Sequence, residues 1–119
     1  MPATALNAAG PAPRAHPNEL DKRRIERALK TRRRYRYVEP TVHPVANGYR
    51  IESACCSRNI DPDGGVVDIA LMLFDDARGE WDLFRKDHGK DLWEWDCKHV
   101  RLSELLDLIT TDELRKFWQ

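Results

Sequence analysis

The sequence predicts an α+β domain, on three observations. Apolar residues fall at helical spacing near the start, alternating and β-branched segments fill the middle, and a Leu-rich stretch with helical spacing closes the chain. The expected architecture is an N-terminal helix, a sheet of four or five mainly antiparallel strands, and a C-terminal helical segment.

The first helix is expected from Asn18 to about Arg33. An Asn side chain can accept from the free amides of a helix start, and Glu19 and Asp21 suit its positive end. Ile25, Ala28 and Leu29 form a narrow apolar stripe, with Arg23, Arg27, Lys30 and Arg34 on the opposite side. From Tyr35 the pattern changes, and Pro40 and Pro44 restrict the segment to an edge strand or an irregular extended piece. Asn47-Gly48 tolerates the positive φ angles of a tight turn, and alternation from Tyr49 to Cys56 predicts a strand. Val66 to Phe74 is apolar except for Asp68 and reads as a central strand covered on most of both faces.

A turn at Asp76 to Gly79 leads into Glu80 to Arg85, where Trp81 and Leu83 fall on one side and Asp82 and Phe84 on the other. Leu92, Trp93 and Trp95 mark a last short strand at hairpin distance, so the sheet reads as a meander. Ser103 is placed to cap a helix carrying Leu105, Leu106, Leu108 and Ile109. Thr110 with Glu113 resembles a second capping box, and Leu114, Phe117 and Trp118 continue the apolar face.

Length and composition bound the function. With 119 residues and 20 basic against 20 acidic side chains, the chain suits one core and has no overall field that selects a ligand. No apolar run approaches the roughly 18 residues that would span a bilayer, so no membrane partner is expected. Residues 1–17, rich in Ala and Pro, lack the basic start and apolar stretch of a signal peptide and read as a disordered tail before a domain over 18–119. Three cysteines, two of them adjacent, suggest no disulfide framework, so a reducing, cytoplasmic location is expected.

Arg24-Ile25-Glu26-Arg27-Ala28-Leu29, Gly48-Tyr49-Arg50-Ile51-Glu52, Trp81-x-Leu83-Phe84, Trp93 to Trp95, and the closing helix through Asp112 to Phe117-Trp118 occur in an order and spacing that resemble the short bacterial domains of domain-of-unknown-function family 3024. The resemblance covers roughly residues 20 to 118. It implies a compact single-domain bacterial protein and carries no activity with it.

Chemistry must then come from the residues. Lys22 to Arg36 holds nine of the 20 basic residues within 15 positions. Arginine forks grip phosphates, and Tyr35 and Tyr37 could stack on single-stranded bases, so Arg23, Arg27, Lys30, Arg34, Tyr35 and Tyr37 are the candidates for a nucleic-acid surface. Against this, Glu19 with Arg23 and Glu26 with Lys30 are the i, i+4 pairs of a solvated helix, and the acidic region Asp61 to Asp96 could neutralise it internally or across a dimer. Asn59, Asp61 and Asp63 followed by Gly64 match the first half of a calcium loop, but Ala70 stands where the bidentate Glu belongs, which favours a plain turn.

Cys97 and His99, with Cys55, Cys56, His43 and His88, are scattered zinc ligands at best, and neither a Cys-x-x-Cys pair nor a His-Glu-x-x-His helix occurs. No nucleophile elbow, phosphate loop or dinucleotide fingerprint is present, so no catalytic set, cofactor or metal is assigned. Trp81, Phe84, Trp93, Trp95 and Trp118 are read as core rings rather than an exposed patch.

The favoured function is a small macromolecule-interaction module whose partner is a protein, engaged through the sheet edge or the charged faces. A homodimer is permitted. Nucleic-acid binding through the basic helix is the alternative, and an enzyme of unspecified reaction the third class.

Overall fold

Asn18 sets the first helix. Its Oδ1 accepts from the amide of Asp21 at 2.8 Å, and α1 runs Glu19–Leu29 with Ile25 and Leu29 fully covered beneath it. The computed structural model describes residues 15–33, 38–54 and 65–119. Tyr35 and Tyr37, and with them Arg34 of the basic run, lie outside those residues. So do the whole Asn59 to Gly64 segment, including Asp61 and Asp63, and Cys55 and Cys56.

Helix α1 ends four residues before the expected Arg33, for a tertiary reason. Arg32 is buried, donates from Nη1 to the Leu29 carbonyl at 2.7 Å and from Nη2 to the Val38 carbonyl, and sets its guanidinium 4.8 Å from the Trp118 ring centroid. The Arg33 amide donates to the Thr110 carbonyl at 3.0 Å. Contacts with the chain's far end thus take over the groups that would have continued the helix.

Five strands follow among the described residues in a plain antiparallel meander: β1 Thr41–Val45, β2 Gly48–Ala54, β3 Val66–Asp75, β4 Glu80–Asp87 and β5 Leu92–His99. Asn47 takes φ 65° in the first turn, as its side chain type allows. Gly48 is needed for another reason: a Cβ there would stand 1.8 Å from the Met72 carbonyl oxygen, so only glycine lets β2 approach β3. The proline-bearing β1 lies at the sheet edge, where a missing donor is tolerated.

Two bulges re-aim side chains. Ile51 pairs with Ala70 but Glu52 with Asp68, which leaves Ile69 extra and puts Ile69 and Ala70 both in the core. Leu83 pairs with Cys97 but Phe84 with Trp95, leaving Asp96 extra on β5.

The closing helix, α2, spans Leu102–Thr111. Its N-cap is Arg101, with no side-chain cap bond, rather than Ser103: Leu102 is buried and belongs to the apolar face. No second helix follows. The Thr110 hydroxyl donates back to the Leu106 carbonyl at 2.8 Å, and the chain leaves α2 through Asp112 in the left-handed region at φ 41°. The core lies between this helix pair and one face of the sheet, built from Ile25, Leu29, Tyr49, Ile51, Met72, Trp81, Leu83, Leu105, Ile109, Phe117 and Trp118. No described helix is long and apolar enough to cross a membrane.

Candidate functional site

Because strand side chains alternate, burying Tyr49, Ile51, Met72, Trp81 and Leu83 under the helices turns their neighbours to the opposite face. Neither α1 nor α2 contributes to that face. The register lines His43, Arg50, Leu71, Phe84 and Trp95 side by side across all five strands. Beside this row, Glu52 faces Asp68 and Lys86 faces Trp93; on its other flank, Leu73 faces Asp82.

The face divides in two. Toward β1 it is ionic. His43 Nε2 lies 2.6 Å from Glu52, Arg50 donates to Glu52 at 2.9 Å and to Asp68 at 2.7 Å, and Lys86 reaches Asp68 at 3.2 Å and Asp91 at 3.1 Å. The Arg50 guanidinium, joined by His43, holds the Glu52 carboxyl below its ordinary range. Partial burial pulls Lys86 down, but Asp91 and Asp68 overcome it and leave the ammonium raised. Both permanent cations of the ladder are therefore engaged by two carboxylates each.

Toward β5 the face is aromatic. Leu71, Leu73, Phe84 and Trp93 are half-buried, and Trp95 is 54% exposed, with its indole N–H donating to Asp82 at 3.0 Å. The Lys86 ammonium lies 4.9 Å from the Trp93 ring centroid. This corrects two expectations. Trp81 and Trp118 are core rings, at 4% and 1% exposure, but Trp95 is not; and the described helices cover β3 on one face, leaving Leu71 and Leu73 half-buried on the other. Alternation was legible in the sequence. What it could not show is that both helices pack on the same side.

The basic helix looks different in place. Arg23 pairs with Glu19 at 3.3 Å, Arg24 with Asp21 at 2.8 Å and Lys22 with Glu26 at 3.9 Å. Arg27 and Lys30 are exposed, and neither enters an ion pair among the described residues.

Among the described residues the zinc candidates do not converge: His43 sits on the ladder, while His99 Nδ1 lies 3.0 Å from Glu104. Cys97 is partly covered and its thiol is pushed up to about 11 by burial and by the bonded Asp96. Among the described residues no three His, Cys, Asp or Glu side chains gather as a metal ion requires.

A second cluster was missed by sequence reasoning. His16, two residues before the expected domain start, packs its ring 4.5 Å from Trp81 and 5.1 Å from Phe74. Its Nδ1 lies 3.1 Å from the Tyr49 hydroxyl and 3.7 Å from Asp21. Burial opposes ionisation of Asp21, yet Asn18 and Arg24 overcome it and hold the carboxyl below its ordinary value. A histidine in an Ala- and Pro-rich stretch was the one available signal. The cluster fastens the N-terminal segment to the sheet.

A family model described as Domain of unknown function (DUF3024) matches residues 13–119. No curated protein and no solved structure matches the chain.

Proposed function

The chain belongs to the domain-of-unknown-function family DUF3024, and within that family we propose that it is a protein-interaction module whose docking surface is the face of its sheet on which neither described helix packs. One observation carries the reading: the face presents Trp95, Trp93, Phe84, Leu71 and Leu73 while its cations are already engaged. Arg50 and Lys86 each contact two carboxylates, and the ladder holds three carboxylates, Glu52, Asp68 and Asp91, against those two. Such a surface offers ring faces and aliphatic area to another protein, in keeping with the aromatic enrichment of interface centres. It offers phosphates little. The nucleic-acid reading rests instead on the exposed Arg27 and Lys30 of α1. A bacterial cytoplasm is part of the proposal, supported by the odd cysteine count and the lack of a disulfide framework.

The test is a photo-crosslinking residue installed at Trp95, or in a separate chain at Arg27, in living cells. A defined protein adduct at position 95 is expected; the purified adduct partner should bind the chain and weaken at least about 10-fold with Trp95→Asp. Adducts confined to position 27, or binding abolished by Arg27→Glu with Lys30→Glu and untouched by Trp95→Asp, would replace this reading with the helix one.

A further inference from the structure

On the sheet face away from the helices, most carboxylates meet a cation. Arg50 contacts Glu52 and Asp68, Lys86 contacts Asp68 and Asp91, and Lys98 lies 3.5 Å from Glu80. Asp82 is the exception: among the described residues it enters no ion pair. Lys98 stands opposite it in the register but turns its ammonium to Glu80. What Asp82 does hold is the indole N–H of Trp95, which donates to its Oδ1 at 3.0 Å. That donor is neutral. It fixes the carboxylate beside the ring and leaves the negative charge uncompensated.

The ring itself is 54% exposed, and its neighbours in the register are apolar: Phe84 pairs with Trp95, and Leu73 with Asp82. An indole face and a fixed carboxylate therefore stand side by side on a partly apolar floor, where a charge contact is screened less than in open water. A group that satisfies both must be flat enough to lie on the ring, cationic, and able to donate from its edge. A guanidinium has all three properties; an ammonium is a strongly hydrated point charge with no plane to stack. We propose that Trp95 and Asp82 are the anchor point of the docking face and that they take an arginine side chain of the partner protein, stacked on the indole with its N–H edge turned to the carboxylate. This deepens the reading of that face as a docking surface and rests on it. An acidic segment would be repelled by Asp82, and a purely aliphatic one would cover the carboxylate without pairing it.

The probe is a short capped peptide with one arginine between two leucines, titrated into the isotope-labelled full chain at low salt. Its controls carry lysine or citrulline in place of the arginine; citrulline keeps the shape and removes the charge. The arginine peptide should shift the Trp95 indole N–H resonance and the backbone amides of Asp82 and Phe84. The lysine peptide should bind at least about 3-fold more weakly, and the citrulline peptide should leave the resonance where it is. Asp82→Asn keeps an oxygen for the indole N–H and removes only the charge, so it should weaken the arginine peptide at least about 3-fold with near-UV circular dichroism unchanged. The proposal is overturned if the arginine peptide does not bind, if the lysine or citrulline peptide binds equally, or if Asp82→Asn has no effect. The partner captured by crosslinking at position 95 separates the two readings. If it binds equally well before and after Asp82→Asn, the docking face stands and the arginine anchor alone falls; if no adduct forms at position 95, the docking face falls and takes the anchor with it.

Discussion

The two faces of one sheet are built from the same alternating strands and meet opposite fates. On the helix side, Tyr49, Ile51, Met72 and Leu83 are fully covered and Trp81 nearly so. On the other side, a row of comparable size from Arg50 through Leu71 and Phe84 to Trp95 stays open to solvent at its β5 end. The difference teaches where this domain keeps its stability and where it keeps its surface. Apolar burial stabilises in proportion to area removed from water, so the covered face dominates the folding free energy and the open face is free to serve something else.

The largest effect should come from the covered side. Trp118→Ala removes a buried indole together with its bond to the Ile109 carbonyl and its contact with Arg32, and should cost about 3–5 kcal/mol in urea unfolding. A loss under about 1 kcal/mol would mean that the helix pair is not the main clamp on the sheet, and the contrast between the faces would fail at its first test.

Next comes the turn behind α2. Asp112→Ala deprives three buried or half-buried amides of their acceptor and places alanine at φ 41°, an expected loss of about 2–3 kcal/mol by denaturant unfolding. Asp112→Asn, which keeps an oxygen and tolerates the left-handed region, should lose clearly less. Equal losses would show that the charge matters more than the geometry.

A smaller effect is pH-dependent. Asp21 is held below its ordinary value of 3.8 by Asn18 and Arg24 despite its burial. A carboxyl depressed in the folded state stabilises fully above its unfolded value and loses that contribution as pH falls through the folded one. Asp21→Asn should therefore cost about 1–2 kcal/mol at pH near 6, and the gap to the parent chain should close as pH drops below 3.8. A gap that stays constant to acid would assign Asp21 a packing role only.

Much of this architecture was legible. The Asn18 cap, the Asn47-Gly48 turn, the edge position of the proline-bearing strand and the split of Trp81 and Leu83 from Asp82 and Phe84 all follow from local chemistry and a period of two. The departures share one physical cause, which is tertiary. Arg32 leaves the helix for Trp118, Leu102 displaces Ser103 from the cap, and two bulges put Ile69 into the core and Asp96 beside Arg85. The candidate face was hidden for the same reason: each ring on β4 and β5 could be sided by alternation, but only packing shows which side the helices choose. His16 stood out only as a histidine in an Ala- and Pro-rich stretch, with no periodicity around it to show that it packs on Trp81.

The smallest expected effect is the most discriminating. Trp95→Ala removes a ring that is 54% exposed and one bond to Asp82, so stability should change by less than about 1 kcal/mol, against several for Trp118→Ala. Tryptophan is costly to leave in water, and a ring without a structural duty has no reason to be tethered there by its N–H. If urea unfolding shows the small loss while partner binding collapses, the indole is held for an occupant. If the loss exceeds about 2 kcal/mol, Trp95 is packing against Phe84 as a core ring would, and the open face is a continuation of the core rather than a surface set aside for binding.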